Sequence, residues 1–558
     1  MAQLSVAQEH GKLDETAGPS VLATVISRAM HSGNGTLSVL KTASGAWDTR
    51  PWQEVHTRAK QIAAQILTES DNREPSAVGL IGEPTVDLIA AIQGAWLAGT
   101  AVSILPGPIR GADEQRWAEN TYARFRGIGV GTVLGSDEQL ELLAKVDGPL
   151  RIAQVAQYGR NADITGFVGR RVGPDTPAIL QGTAGSTGEP KTAVLSVAAV
   201  HSNITELVRR LDIRLNRDVE MSWLPLYHDM GLIVVLVGMA TGVPLWVAPN
   251  SAFVGAPFRW LQWLTESRAT ITVAPNFAYN IVGRYGSRIT DADLSHLRFA
   301  ISGGEPIDAD AFDAFLDVAA RFGMDRRAAA PAYGMAESTC AVSMPAAGEG
   351  ARYDEVTVTS PEDTGQSVRR RYAILGRPLD GMQVRIVEAD GVGVPRIDGR
   401  AVGHIEIRGT SMMTGYLGHA PLGDGEWFAT GDLGYLVDGR PVICGRAKEI
   451  VIVAGRNLFP VEIEQCAATV DGVRSGRVAA VARDGASARS GLVIVAEFRG
   501  RDPESARREV ISTVASECNI VPADVVFVKP GALPLTTSGK LRRLETGKLL
   551  ESGHWNDR

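Results

Sequence analysis

Cysteine is scarce in this 558-residue chain: Cys340, Cys444, Cys466 and Cys518 stand far apart with no Cys-x-x-Cys pair. That spacing excludes a zinc site or a disulfide framework, and the four are expected as core residues of a reduced, cytoplasmic protein. Positive charge is also short, with 56 basic residues against 63 acidic and no sustained basic stripe. A nucleic-acid groove therefore has no electrostatic support. Long apolar runs are missing: the longest, Gly231 to Ala248, is broken by Thr241 and Pro244. A spanning helix needs about 20 apolar residues, so this stretch reads as a buried helix followed by a buried strand, and no transmembrane segment is expected. Met1 to Ser20 carries Glu9, Lys12, Asp14 and Glu15 and has no apolar core, so no secretory signal is expected there. Lysine is the rarest of the common charged residues, nine among the 56 basic side chains. A lysine inside a glycine-rich motif is accordingly worth notice.

What is present is the composition of a large folded protein, 44% hydrophobic and 21% charged, which excludes disorder. From residue 75 onward, short apolar runs alternate with helical patterns: Ser76–Gly82, Val86–Leu97, then Ala101–Leu105. Such alternation predicts an α/β fold with parallel-type sheets, whose ligands gather at the carboxyl ends of the strands. Further strands are expected near residues 178–181, 221–224, 244–247, 269–273 and 297–302. After Tyr372 the pattern turns to alternating strands with glycine and proline turns, Met382–Glu388 and Gly403–Arg408, which predicts a small β-rich lobe. Residues 448–558 read as a compact α+β module with strands at 449–453, 476–482, 491–498 and 524–528 and a helix over 503–518. The polar segment Ala346–Arg371 reads as a long surface loop or insertion.

The sharpest local signal follows the strand at 178–181: Gln181-Gly182-Thr183-Ala184-Gly185-Ser186-Thr187-Gly188-Glu189-Pro190-Lys191. Glycines let backbone N–H groups approach a polyphosphate, hydroxyls add donors and Lys191 adds charge. It is not a Walker A loop, and composition alone fits a Gly/Ser/Thr linker equally well. Its successors decide. In order come Ser222-Trp223-Leu224-Pro225-Leu226-Tyr227-His228-Asp229-Met230-Gly231, Ile301-Ser302-Gly303-Gly304-Glu305-Pro306, Ala332-Tyr333-Gly334-Met335-Ala336-Glu337-Ser338 and Thr430-Gly431-Asp432-Leu433-Gly434. Then follow Gly445-Arg446-Ala447-Lys448-Glu449, Gly455-Arg456-Asn457-Leu458-Phe459-Pro460-Val461-Glu462-Ile463-Glu464 and Pro534-Leu535-Thr536-Thr537-Ser538-Gly539-Lys540.

This ordered series resembles the adenylate-forming superfamily, and the motifs at 222–231 and 455–464 resemble its fatty acyl-AMP ligase group, including the acyl ligases of mycobactin-type siderophores. The segment 346–371 lies where that group carries an insertion. The phosphate loop departs from the family at Gly182, Ala184 and Thr192, where an aromatic residue, a serine and a glycine are usual. The resemblance implies ATP and Mg²⁺ as cofactors, a fatty acid substrate, and the phosphopantetheine thiol of a holo acyl carrier protein as acceptor. The pathway would be siderophore, polyketide or nonribosomal peptide synthesis. It implies an N-terminal adenylation domain over 1–447 and a mobile C-terminal domain over 448–558. A fatty acyl-CoA ligase, an amino-acid adenylation domain and a non-catalytic acyl-nucleotide binding protein are the competing readings.

The resemblance also assigns residues. Thr183, Ala184, Gly185, Ser186, Thr187, Gly188 and Lys191 would hold the phosphates. Gly303, Gly304, Glu305, Tyr333, Gly334, Met335 and Ala336 would surround the adenine, with Tyr333 stacked on the base. Glu337 would hold Mg²⁺. Asp432 and Arg446 would bind the ribose, an ion pair between them being the plain alternative. His228 would gate the acyl carboxylate, Lys448 would be the hinge, and Lys540 would meet the carboxylate and α-phosphate as charge builds. Lys540 also resembles the acetylation site of bacterial acyl ligases. For the acyl tunnel, Leu232–Val237 and Phe253–Trp263 are candidate walls.

Overall fold

The computed structural model describes residues 20–71, 73–108, 113–183, 191–359, 367–388, 397, 399–453, 456–483, 491–518, 520–536 and 539–555. Two seven-stranded sheets organise the larger part. One runs in the order Ala329–Pro331, Phe299–Ser302, Ile271–Ala274, Glu220–Ser222, Leu245–Val247, Thr36–Leu40, Trp47–Pro51. It is parallel except for the edge pair Thr36–Leu40 and Trp47–Pro51. The other runs Gly415–Tyr416, Lys191–Ser196, Pro177–Thr183, Val102–Ile104, Ala77–Ile81, Val130–Gly135, Arg151–Gln154. Its parallel half is Pro177–Thr183 to Arg151–Gln154, and Lys191–Ser196 returns antiparallel across the phosphate-loop motif.

Helices packed between the sheets carry the apolar patterns seen in the sequence. Val86–Leu97 is apolar all round, with every residue from Leu88 to Leu97 buried, as a helix sandwiched on all sides must be. Thr85 caps it by accepting from the Leu88 N–H at 3.0 Å. Asp229–Thr241 follows the strand Glu220–Ser222 and stops at Gly242, whose φ of 70° places it in the left-handed region. It shares one core with Val21–Ser32, Trp52–Glu69 and Val197–Arg210. The stretch 231–248 is thus the buried helix and strand that its sequence suggests.

A second core lies on the opposite face of the first sheet. There Trp223 stacks on Phe253 with centroids 3.5 Å apart, and Trp260, Trp263, Tyr279 and Phe312 join edge to face. Phe253–Trp263 is therefore structural core and not an acyl-tunnel wall. Its aromatic rings bury one another, which an apolar pattern cannot distinguish from lining a ligand.

The β-rich lobe is a four-stranded antiparallel sheet, Met382–Glu388, Gly403–Gly409, Phe428–Val437 and Arg440–Arg446. The polar segment 346–371 is not simply a loop. It contributes to a β-hairpin, Arg352–Thr359 paired with Ser367–Ile374. Val356 and Ile374 bury themselves against Tyr435, while Arg371 is neutralised by Asp310 at 2.6 Å and Asp313 at 2.8 Å. Those charges diluted the period-2 pattern that would have marked the strands.

Beyond the short turn Ala447–Glu449, the chain builds a separate three-stranded sheet, Val473–Arg483, Gly491–Phe498 and Asp524–Val528, with its own cores. The helix Pro503–Cys518 and two of these strands keep the bounds expected from sequence. This region touches the rest through Arg284, which donates to the Ala468 carbonyl at 3.2 Å. The hairpin makes further contacts: Arg370 donates to the Glu517 carbonyl at 2.9 Å and Tyr372 donates to Glu462. All four cysteines are free and buried. Among the described residues no helix is long and apolar enough to cross a membrane.

Candidate active site

A single cavity of about 2450 Å³ lies between the carboxyl ends of the first sheet, the β-rich lobe and the region after Lys448. Neighbouring parallel strands deliver its floor. Glu220–Ser222 runs into the 223–229 turn, Phe299–Ser302 into Gly303-Gly304-Glu305, and Ala329–Pro331 into Tyr333 and Gly334. Two glycines are sterically required there. Gly304 sits at φ 79°, and a Cβ on it would lie 2.8 Å from the Met230 Cε. A Cβ on Gly334 would fall 1.9 Å from the Cys340 carbonyl oxygen, destroying the turn that presents Tyr333 and Glu337.

At the lobe side, the Tyr333 hydroxyl donates to Asp432 Oδ2 at 2.7 Å while Arg446 Nε lies 3.1 Å from Oδ1. Burial pushes the Asp432 carboxyl above its ordinary range, partly offset by Arg446, Tyr333 and Lys540. Asp432 is thus a poorly solvated acceptor already held in place by two donors, suited to receive hydroxyls. The Asp432–Arg446 ion pair, the plain alternative, is present, and both members still line the cavity.

Glu337 is buried, and its Oε1 accepts from the Tyr416 hydroxyl at 2.7 Å. Lys191 Nζ stands 4.7 Å from the centroid of the same tyrosine ring. No cluster of three or more metal-ligating side chains occurs among the described residues. One oriented carboxylate lining the cavity suits a Mg²⁺ ion that takes its other ligands from phosphate and water.

Opposite, His228 precedes the helix Asp229–Thr241, and its Nδ1 lies 2.6 Å from Asp229 Oδ1, which also accepts from the Met230 N–H at 2.8 Å. Burial opposes the Asp229 charge, yet His228 and Lys540 hold its carboxyl below the usual range. With Nδ1 engaged by Asp229, Nε2 is the ring nitrogen left for a substrate. Glu305 accepts from the Phe277 N–H at 2.6 Å. Burial pushes its carboxyl up, and that N–H together with Lys540 and other cations opposes the shift. Lys540 therefore acts electrostatically on Asp229, Glu305 and Asp432 at once, three carboxylates from three separate motifs. Its loop is set by reciprocal bonds: the Thr536 N–H donates to the Lys540 carbonyl at 2.7 Å, and the Lys540 N–H donates to Thr536 Oγ1 at 3.0 Å.

Every described residue given a catalytic, nucleotide, metal or hinge role from sequence lines this cavity: Thr183, Lys191, His228, Gly303, Gly304, Glu305, Tyr333, Gly334, Met335, Ala336, Glu337, Asp432, Arg446, Lys448 and Lys540. Ala184, Gly185, Ser186, Thr187 and Gly188 lie outside the described residues. Lys448 occupies the turn Ala447–Glu449, whose Glu449 is ion-paired with Arg543. Of the expected tunnel walls, Ile233, Val234 and Val237 do line the cavity.

Three cavity residues were not singled out from the sequence. Tyr416 meets Glu337 across 79 positions of chain. Arg124 borders the cavity, with its Nη2 2.5 Å from where a Cβ on Gly182 would stand. Burial lowers its pKa, and among the described residues no acidic partner offsets this. The glycine in place of the usual aromatic residue was the clue that something else fills that space. Glu220, a buried acid in a central strand, is the third.

The pocket lies at strand ends, and its polar groups converge from the large sheets, the β-rich lobe and the region after Lys448, an arrangement consistent with a nucleotide-activating enzyme of the adenylate-forming type. The AMP-binding enzyme family matches residues 37–417, and the chain belongs to it. The Mycobacterium tuberculosis protein Rv1013 is 35% identical over 521 residues, covering 89% of this chain and 94% of its own. The long-chain-fatty-acid–AMP ligase FadD28 of Mycobacterium bovis is 29% identical over 555 residues, covering 89% and 92%. Among solved structures, one from a study of the fatty acyl-adenylate ligases of E. coli and L. pneumophila superposes with a TM-score of 0.83 at 25% identity, covering 96% of this chain and 98% of that one.

Proposed function

We propose that this protein activates a fatty acid with ATP and passes the acyl group to the phosphopantetheine thiol of a holo acyl carrier protein. The observation that carries the first half is the convergence of Lys540, Asp432, Glu337 and His228 on one cavity that continues between apolar side chains. In the first step a carboxylate oxygen attacks the α-phosphorus, the bond to the β-phosphate oxygen breaks, and acyl-AMP and pyrophosphate form. Little covalent work falls to the protein, so positioning and charge neutralisation dominate.

Tyr333 provides a flat face for adenine and Asp432 accepts from the ribose hydroxyls. Lys191 and the 183–191 loop steer the phosphates. Glu337 is the residue that would hold Mg²⁺, which would neutralise phosphate charge. His228 Nε2 donates to or releases the acyl carboxylate while Asp229 fixes the ring. Lys540 supplies the cation where charge accumulates. In the second step the thiol sulfur attacks the acyl carbon, AMP leaves, and the thiol proton goes to solvent. Rotation of the region 448–558 about Lys448 would exchange Lys540 for a thiol entrance.

Support for a carrier acceptor comes from the relative named an AMP ligase and from the hairpin, where Arg370 and Tyr372 engage the region after Lys448. Assembly of a lipid-bearing siderophore, polyketide or nonribosomal peptide is the corresponding role. The test incubates the protein with ATP, Mg²⁺ and fatty acids, then with coenzyme A or holo carrier protein, reading products by mass spectrometry. Acyl-AMP followed by acyl-carrier without acyl-CoA is expected. Acyl-CoA from free coenzyme A would overturn the acceptor, and absence of acyl-AMP from any acid would overturn the activation step.

A further inference from the structure

The apolar arm of the cavity passes Val234 and Val237 and reaches Leu207, Leu211, Ile271 and Glu220. An acid at the end of an apolar tunnel is an expensive residue. Glu220 is 2% exposed, and its Oε2 has no hydrogen-bond partner among the described residues. Space for it is made by the facing helix: a Cβ on Gly238 would lie 3.3 Å from that same oxygen. The nearby cations are committed elsewhere. Arg298 Nη1 stands 2.7 Å and Arg217 Nη2 2.8 Å from the carboxylate of Asp218, two residues before it. Asp218 is the charged neighbour that acts on Glu220, and its sign adds to the effect of burial in keeping Glu220 protonated.

The strand register gives the depth. Glu220 pairs with Ile271 and Ile271 with Phe299, so Glu220 lies four residues below the level of Gly303, about 13 Å at ~3.3 Å per residue. That is the reach of roughly ten carbons in a zigzag of ~1.5 Å bonds. A carboxyl group held at the nucleotide end thus places the far end of a medium-length chain at Glu220.

We infer that Glu220 recognises a hydroxyl group carried at or near the tail of the acyl chain, so that the enzyme selects hydroxylated acids over plain ones. This rests on the fatty-acyl reading of the same cavity. A neutral acid offers one donor and one acceptor, the pair that an alcohol or phenol also offers. A second carboxylate would meet the repulsion of Asp218, and an ammonium would be stripped of water by the apolar walls. A methyl-ended tail would displace solvent from Glu220 and leave it unpaired, and sites built to bond a hydroxyl reject analogues lacking one for that reason.

The test compares ATP–pyrophosphate exchange for pairs of acids from C8 to C16, each with and without an ω-hydroxyl. Wild-type protein should favour the hydroxylated member at the best-fitting length by at least tenfold in kcat/KM. Glu220→Gln, which keeps a donor and an acceptor, should retain most of that preference. Glu220→Met should abolish or invert it while accepting plain acids at least as well, with AMP binding by calorimetry showing that the variant is folded. Equal rates for the paired acids in wild-type protein, or a preference untouched in a folded Glu220→Met, would overturn the inference. Failure of every aliphatic acid, hydroxylated or not, would overturn the fatty-acyl reading itself.

Discussion

Replacing Glu220 by Gln should make the fold less sensitive to alkali, because Glu220 is an acid that the folded chain keeps protonated. Burial, reinforced by Asp218, raises its pKa from 4.5 to about 8. Between those values the folded state binds a proton that the unfolded state has lost. Stability therefore falls as pH rises through this window, and the contribution is intact only below the unfolded value. Each pH unit is worth about 1.4 kcal/mol, so the full span amounts to something on the order of 5 kcal/mol. Glutamine keeps the shape and does not titrate, so subtracting the two proteins cancels the other ionisable groups. The assay is urea unfolding followed by fluorescence from pH 5 to 9. The wild-type midpoint should drop relative to Glu220→Gln across pH 6 to 8, with the two differing least in their pH response below pH 5. A difference that stays constant from pH 5 to 9 would refute the claim that this side chain is desolvated and unpaired.

Lys540→Ala should lower the rate of acyl-AMP formation by about 10²- to 10³-fold, the loss expected when one preorganised charge donor is removed from a transition state. ATP binding by calorimetry should stay within a few-fold, and wild-type pyrophosphate release would sink the assignment. Acetyl-lysine installed at position 540 should reproduce that loss, since it removes the charge and leaves the backbone intact; full activity would separate the charge from the function. Arg124→Ala should raise the KM for ATP by roughly tenfold, about 1.4 kcal/mol, with little change in melting temperature, because this guanidinium borders the cavity beside Gly182 with no acidic partner among the described residues. An unchanged KM would make Arg124 a packing residue. Arg543→Met should destabilise the region after Lys448 by about 3 kcal/mol, since it strands Glu464, which Arg543 grips at 2.6 and 2.7 Å. Equal resistance of that region to limited proteolysis would refute this.

How legible the site was depended on whether its chemistry is local. Phosphate approach, tight turns and a backbone that admits a base are short-range demands, so they leave glycine-rich strings such as 181–191 and 332–338 in the sequence. The strands feeding them are short apolar runs, and Gly491–Phe498 and Asp524–Val528 were readable to the residue. Partnerships that form only in three dimensions leave no string. Tyr416 steadies Glu337 from the edge of the other large sheet, and Arg124 fills a space opened by Gly182. Arg371, charged and apparently solvated, is in fact the outer face of a strand clamped by Asp310 and Asp313. The apolar segments failed in the opposite way. Phe253–Trp263 and Leu232–Val237 are both apolar, yet only the second borders ligand space, and the difference is set by which face of the sheet each packs on.

That difference also explains why Glu220 carries weight. On the far face of the sheet, Trp223, Phe253 and Trp260 fill their space with one another. On the near face, the helix Asp229–Thr241 offers Gly238 where a side chain would have closed the gap, and the strand offers an acid whose Oε2 has no hydrogen-bond partner among the described residues. A core selected only for stability would replace such a residue with a hydrocarbon of similar volume and gain by it. Glu220→Met should therefore melt higher than wild-type protein at pH 8 while losing discrimination between hydroxylated and plain acids. Higher stability with discrimination intact would leave the acid without a role in selecting the acyl chain. Lower stability would mean that Glu220 is bonded within the fold and does not close the tunnel.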